Sequence, residues 1–304
     1  MTAPSARQSL PTAGFVLLAS LSLFWGLNWP GMKIILTELP VWWFRSSCVI
    51  FGGTALLIIS ASSGNRVRMR RGELGPIAFC AIFNFFGWHM LSAHGVSLMP
   101  AGRAAIIAFT MPVWAAVFSS LLLGERFTAA KIVGLALGLA GLAVLIGEDL
   151  ALLQRAPLGA LFMVGAALSW GFGTAWFKRG NWAMPVASNV GWQLLLSAVP
   201  ITLIATLTEP FPDVMAISRE AGLALIYIYG FPMTFCQWAY FKTVHLFPAS
   251  IAAIGTLMVP VVGVYSSHFI LAEPVGFREL TALVLIVAAL VSVLVVPGMR
   301  KGTA

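Results

Sequence analysis

Charge is what this sequence has least of. Of its 304 residues 9% are charged and 60% are hydrophobic, and the mean hydropathy is +0.94. An ordinary soluble domain carries about 25% charged residues, so a soluble globular protein is excluded and the chain belongs in lipid. The net charge of +8 does not argue for nucleic acid, because the basic residues sit in short loops between apolar runs, where they set membrane topology. Cysteine is nearly absent. Cys48, Cys80 and Cys236 stand alone inside apolar runs, which excludes a disulfide framework and leaves them as small buried hydrophobes. There is no GxxxxGK[ST] loop for ATP, and no HExxH or GxSxG for an intramembrane protease. His89, His94, His245 and His268 lack the spacing of metal ligands. No enzyme, no metal site and no cofactor is therefore expected. No carboxylate lies in the middle of any apolar run. That argues against a proton- or cation-coupled pump that works through a buried acid.

What is present is a succession of apolar runs, each about 20 residues long. They fall near 13–35, 41–60, 74–97, 100–122, 129–147, 158–177, 185–207, 221–242, 249–271 and 279–297. In lipid the backbone must satisfy its own hydrogen bonds, so these spans are predicted to be helices. The first run is too long and lacks the cleavage site of a signal peptide, so it is expected to remain as a helix. With the SSGNRVRMRRGE loop (Arg66, Arg68, Arg70, Arg71) placed in the cytoplasm, the inside also collects Arg7, Arg126, Lys131, Lys178, Arg179, Lys242, Arg300 and Lys301. The outside then receives Lys33, Arg155, Arg219 and Arg278, twelve against four, with both termini inside. Glu38, Glu148, Asp149, Glu209, Asp213, Glu220, Glu273 and Glu279 fall outside.

One stretch occurs twice. Met99 to Glu125 returns as Phe247 to Glu273: at a shift of 148, Pro100, Ala101, Ala104, Ala105, Ile106, Pro112, Val113, Ser119 and Glu125 fall on Pro248, Ala249, Ala252, Ala253, Ile254, Pro260, Val261, Ser267 and Glu273. Trp25-Gly26 and Lys33 match Trp170-Gly171 and Lys178 at a shift of 145, and Phe79 and Phe83 match Tyr227 and Phe231 at 148. The chain thus divides into residues 1–150 and 151–304, five spans each. Five is odd, so the second half enters the membrane inverted. The expected fold is an all-α membrane protein of ten transmembrane helices, two inverted repeats around a central cavity. Pro112 and Pro260 would be the paired hinges.

These features resemble the drug/metabolite transporter superfamily. The Pro-containing fourth helix of each half ends in Leu123-Gly124-Glu125 or Leu271-Ala272-Glu273, and the Trp-Gly pairs fit its EamA-type repeats. The density of aromatic residues in the third and eighth spans is similar to the aromatic amino-acid exporters of the YddG type. The resemblance implies a cavity lined by helices one, three, four, six, eight and nine, and export from the bacterial cytoplasm across the inner membrane.

Several residues are candidates for that cavity. Trp25, Trp88, Trp170, Tyr227, Trp238 and Tyr240 lie deeper than an interfacial belt requires. Phe79, Phe83, Phe86 and Met90 recur at helical spacing, either as a packing stripe or as a cavity wall that holds planar side chains. Met111 and Met258 would add adaptable surface. The amides of Asn28, Asn84, Gln193 and Gln237 must face protein, water or substrate, since an unpaired amide in lipid costs several kcal/mol. Arg45 and Arg103 are the arginines well inside runs. Each either snorkels to the outer interface or receives a substrate carboxylate, and Arg103 is the one placed in the candidate site. His89 is the candidate for any proton coupling. Gly134, Gly138 and Gly141 of the fifth span, with Ala282 and Ala289 of the tenth, suggest peripheral helices packed tightly on the bundle without a substrate role. The function expected is a secondary transporter that exports amino acids, aromatic and other apolar ones above all, by alternating access. It would run downhill or weakly coupled to protons, and a monomer would suffice. The alternatives are a broad-specificity drug or metabolite efflux pump and a membrane scaffold or receptor without flux.

Overall fold

The computed structural model describes residues 12–124, 129–151, 156–180, 182–240 and 249–292. Among them every regular element is a helix and there is no strand. In chain order these are α1 (Thr12–Ile35), α2 (Val41–Ser62), α3 (Leu74–Leu98), α4 (Ala101–Leu123), α5 (Ala129–Ala151), α6 (Ala156–Arg179), α7 (Val186–Thr208), α8 (Arg219–Gly230, running on to residue 240), α9 (Ala249–Leu271) and α10 (Phe277–Leu290). Five of them have stretches long and apolar enough to cross a membrane: α2, α3, α4, α6 and α7. Arg7, Glu125, Arg126, Arg155, Lys242, His245, Arg300 and Lys301 lie outside the described residues.

The helices pack in a pattern. α1 lies on α9 and α6 on α4; α3 lies on α6 and α8 on α1; α2 packs on α7, and α5 on α10. Replacing each helix by the one five places away returns the same set of pairs. Several of these contacts are close enough to need glycine, and two of them correspond between the halves. A Cβ on Gly26 of α1 would lie 2.4 Å from Val262 Cβ of α9, and one on Gly171 of α6 would lie 2.8 Å from the Ala115 backbone nitrogen of α4. Gly26 and Gly171 are the glycines of the two Trp-Gly pairs, and Val262 and Trp114 stand 148 apart. The repeated dipeptide is thus a packing device: the glycine lets two backbones touch. On the far side, Gly138 and Gly141 of α5 face Ala289 and Ile286 of α10.

Helix ends account for the Leu-Gly-Glu and Leu-Ala-Glu signatures. α4 stops at Gly124 (φ 65°) and α9 at Ala272 (φ 54°), both left-handed. Glycine enters that region freely, whereas alanine pays for its Cβ. Beyond Ala272 the chain turns so that Glu273 accepts hydrogen bonds from Ala101 N (2.7 Å) and Gly102 N (2.9 Å) at the start of α4. Glu209 does the same for α2, accepting from Trp42 N and Trp43 N at 3.0 and 3.2 Å. Glu38 accepts from Ser218 N at 2.7 Å, and Ser218 Oγ in turn caps α8 through Ala221 N. Carboxylates on helix N-termini satisfy orphan amides and meet the positive end of the helix dipole. At the opposite polarity, Lys33 Nζ donates to the carbonyls of Val96, Ser97 and Met99 at the end of α3.

Three helices are irregular, and the irregularities shape the interior. α3 widens into a π-helical stretch at Ile82–Gly87, and α8 does so at Phe231–Phe235. The carbonyls exposed near the α3 bulge are taken up by neighbours: Ser169 of α6 donates to Phe83 O (2.7 Å) and Ser197 of α7 to Ala81 O (3.1 Å). α4 breaks at Phe109–Thr110, just before Pro112, which cannot donate to the preceding turn. Thr110 closes the gap, its N–H and hydroxyl both donating to Ile107 O. α9 instead runs through Pro260 without interruption. Of the two prolines expected as hinges, one sits at a break and the other within a continuous helix.

On the loop between α2 and α3, Glu73 accepts two bonds from the Arg66 guanidinium and one from Arg70 N. Together they hold its carboxyl down at about 2.

Two substitutions test this account. Gly171→Ala forces a methyl against the α4 backbone and should cost about 1–3 kcal/mol, read as a lower melting temperature in detergent. Ala272→Gly should do the reverse of a usual helix-end change and stabilise by about 1 kcal/mol, since it removes a Cβ from a left-handed residue. An unchanged or lowered melting temperature for Ala272→Gly would contradict the assigned cap.

Candidate functional site

The irregular helices surround a cavity. It holds about 590 Å³ of empty space, counting the part open to solvent. α1 contributes Trp25, Asn28, Trp29 and Met32, which fall at i, i+3, i+4 and i+7 on one helical face. Arg45 enters from α2, Trp88, His89 and Ser92 from α3, Phe109 and Met111 from the two sides of the α4 break, Trp170 from α6, and Pro232, Met233 and Gln237 from α8. The break in α4 exposes its two flanking side chains to the cavity. In α3, Trp88, His89 and Ser92 follow directly after the π-helical stretch, whose wider turn changes which face the next residues present.

The wall is largely indole. The rings of Trp88 and Trp170 lie 5.2 Å apart at 59°, and Trp25 rests against Tyr240 at 5.4 Å. Trp29 is 3% and Trp170 8% exposed. The polar groups set in this wall are poorly satisfied from within the protein. Both ring nitrogens of His89, Gln237 Oε1 and Arg45 Nε are buried without a hydrogen-bond partner. The Arg45 guanidinium, 3% exposed, reaches only neutral groups through its Nη2: Ser92 Oγ at 3.2 Å and the Met32 sulfur. Among the described residues no carboxylate lines the cavity.

The residues expected in the site divide into two groups. Trp25, Asn28, Trp88, His89, Met111, Trp170 and Gln237 line the cavity. The others lie elsewhere. Arg103 is paired with Glu279, its Nε donating to Oε1 at 2.8 Å. Gln193 accepts from Asn84 Nδ2 and donates to Asn189 Oδ1, forming an amide chain that ties α3 to α7. Phe83 packs between Phe79 and Phe172, at 5.2 and 4.5 Å. Tyr227 donates its hydroxyl to Phe24 O and stacks on Phe231. Tyr240 backs Trp25 from outside the lining, while Trp238 and Met258 are 38% and 51% exposed.

The reason for the split is physical: a buried amide or aromatic side chain is equally content against a neighbouring helix, and which partner it meets depends on helix rotation. Trp29 and Met32 could have been found by extending the helical spacing from Trp25. Arg45 carried a signal, as an intramembrane arginine, but its position facing Ser92 across two helices did not. The resemblance implied a lining from helix nine and none from helix two; among the described residues the reverse holds.

A family model for the EamA-like transporter family matches residues 12–147 and 157–295. The chain belongs to the EamA-like transporter family. It is therefore a multi-pass membrane transporter of small molecules and not an enzyme. It is 31% identical over 287 residues to the uncharacterized transporter YvbV of Bacillus subtilis, covering 93% of this chain and 92% of that one. It is 27% identical over 285 residues to a Salmonella typhimurium protein named "Probable amino-acid metabolite efflux pump", covering 88% and 89%. A solved crystal structure matches 97% of this chain and 100% of its own with a TM-score of 0.67 at 20% identity, a likeness of fold.

Proposed function

We propose that this EamA-like transporter exports amino acids, aromatic and other apolar ones favoured, from the cytoplasm across the bacterial inner membrane. The observation that carries the reading is the cavity itself: indole walls from Trp25, Trp29, Trp88 and Trp170, set with unsatisfied polar groups and, among the described residues, without a carboxylate. Such a site suits a ligand with a planar apolar body and a polar head. Each aromatic contact adds about 0.5–1.5 kcal/mol beyond area burial, and Met32, Met111 and Met233 tolerate variation in shape. The printed name of the Salmonella relative points the same way. A pump for organic cations would place a carboxylate where this cavity places Arg45.

In this reading residues 1–150 and 151–304 are inverted repeats of five transmembrane helices, and transport alternates access to the cavity between them. The exchangeable packing pairs, the matched glycine contacts and the matched π-helical stretches support it. Both termini lie in the cytoplasm, on the side rich in Lys and Arg, and a monomer holds a complete site. The break before Pro112 is the point about which α4 rocks.

Reconstituted in liposomes, the protein should move labelled phenylalanine and tryptophan. Trp170→Ala should lower that flux about tenfold, the loss of one stacking wall and its buried area. Absence of any amino-acid flux would sink the proposal. Transport is taken to run downhill, so an imposed pH gradient should change the rate little. Strong stimulation that disappears in His89→Ala would establish proton coupling instead.

A further inference from the structure

Among the described residues Arg45 is a buried cation with no carboxylate beside it. Its guanidinium touches a hydroxyl and a thioether, lies over the Phe44 ring at 4.9 Å and beside the Cys48 thiol, Nε has no partner, and the cavity it faces shows no Asp or Glu. Removing a charge from water costs several kcal/mol unless a counter-charge or several hydrogen bonds return it. Arg103, the other arginine within the spans, has its carboxylate in Glu279. What Arg45 lacks in the protein, a ligand carboxylate would supply, with up to two parallel N–H···O bonds from the planar fork.

The other end of an amino acid finds no such provision. Among the described residues the cavity offers an ammonium group neutral acceptors alone, the amides of Asn28 and Gln237, the His89 ring and the Ser92 hydroxyl, together with the faces of the indoles.

We propose that the cavity recognises the carboxylate and not the ammonium, with Arg45 as its anchor, so that the transporter also takes aromatic monocarboxylates that lack the amino group. Desamino acids and 2-oxo acids with an aryl or indolyl body form this substrate class. This rests on the same cavity being the transport site, but not on amino acids being its natural cargo. The same charge that holds a carboxylate repels an amine, so arylalkylamines are excluded.

Calorimetric titration of the full chain in detergent with three compounds of one skeleton separates the possibilities: phenylalanine, 3-phenylpropanoate and phenethylamine. The expected result is that 3-phenylpropanoate binds within about threefold of phenylalanine or tighter, well under one charge-assisted hydrogen bond, while phenethylamine shows no heat of binding. Arg45→Gln should weaken both carboxylates by about tenfold or more, the loss of a charged hydrogen bond, and Arg45→Lys should recover part of it. A melting curve equal to the parent's shows that each variant is folded. If Arg45→Gln does not fold, the Arg45→Lys titration and the three-compound series on the parent protein decide. Binding of phenylalanine without 3-phenylpropanoate, binding of phenethylamine, or a folded Arg45→Gln with unchanged affinity would each overturn the proposal. So would the absence of binding by all three. Binding of 3-phenylpropanoate without phenylalanine would uphold it and remove amino acids as the cargo.

Discussion

The architecture of this molecule depends on glycines where helix backbones come together. At Gly26 α1 meets α9, and at Gly171 α6 meets α4, each at a distance that leaves no space for a methyl group. In lipid there is little hydrophobic drive to bring helices together, so close packing through small residues must supply the attraction. Both glycines follow a tryptophan that lines the cavity, Trp25 in one case and Trp170 in the other. The contact and the cavity wall are therefore set by one dipeptide: the glycine fixes how close the helices come, and the neighbouring indole is turned into the space they leave.

Around these contacts the ends of the helices are closed by charge. Glu209 and Glu273 each sit after one helix and cap the start of another, while Lys33 gathers the carbonyls at the end of α3. These are short-range, directional bonds between elements distant in sequence, and they join the helix pairs at one end of the bundle. Glu273 exists in this position because the chain leaves α9 through a left-handed Ala272. Its counterpart in the first half uses glycine, which reaches the same conformation without the Cβ cost.

The interior places its buried polar groups in two settings. Between α3 and α7 the amides of Asn84, Gln193 and Asn189 link to one another, and serines from α6 and α7 take up carbonyls near the α3 bulge. That network ties the two helices together, while Asn84 Oδ1 and Asn189 Nδ2 at its ends have no hydrogen-bond partner. In the cavity the corresponding groups, Arg45, His89 and Gln237, keep unpaired atoms. What separates the two sets is place: the first links neighbouring helices, and the second borders open space that a small molecule can enter.

Much of this was legible in the chain itself. Scarcity of charge and the length of the apolar runs determine helices in a membrane, because no other backbone arrangement within one run satisfies its own hydrogen bonds. The repeated Pro and Leu-Gly/Ala-Glu patterns pointed to the fourth helix of each half and its end in advance, whereas the packing role of the Trp-Gly pairs came only with the structure. Seven of the fourteen candidates border the cavity left between the helices, and the other seven, with tryptophan, glutamine and methionine again among them, lie elsewhere. The two arginines could not be told apart from sequence. Both lie a few residues from a helix end, and each could equally snorkel, pair or face a cavity. Glu279, 176 positions away, lies beside Arg103, whereas Arg45 looks across to Ser92 and into open space. That choice depends on the rotation and crossing of helices, which short-range pattern does not encode and only the packed tertiary structure decides.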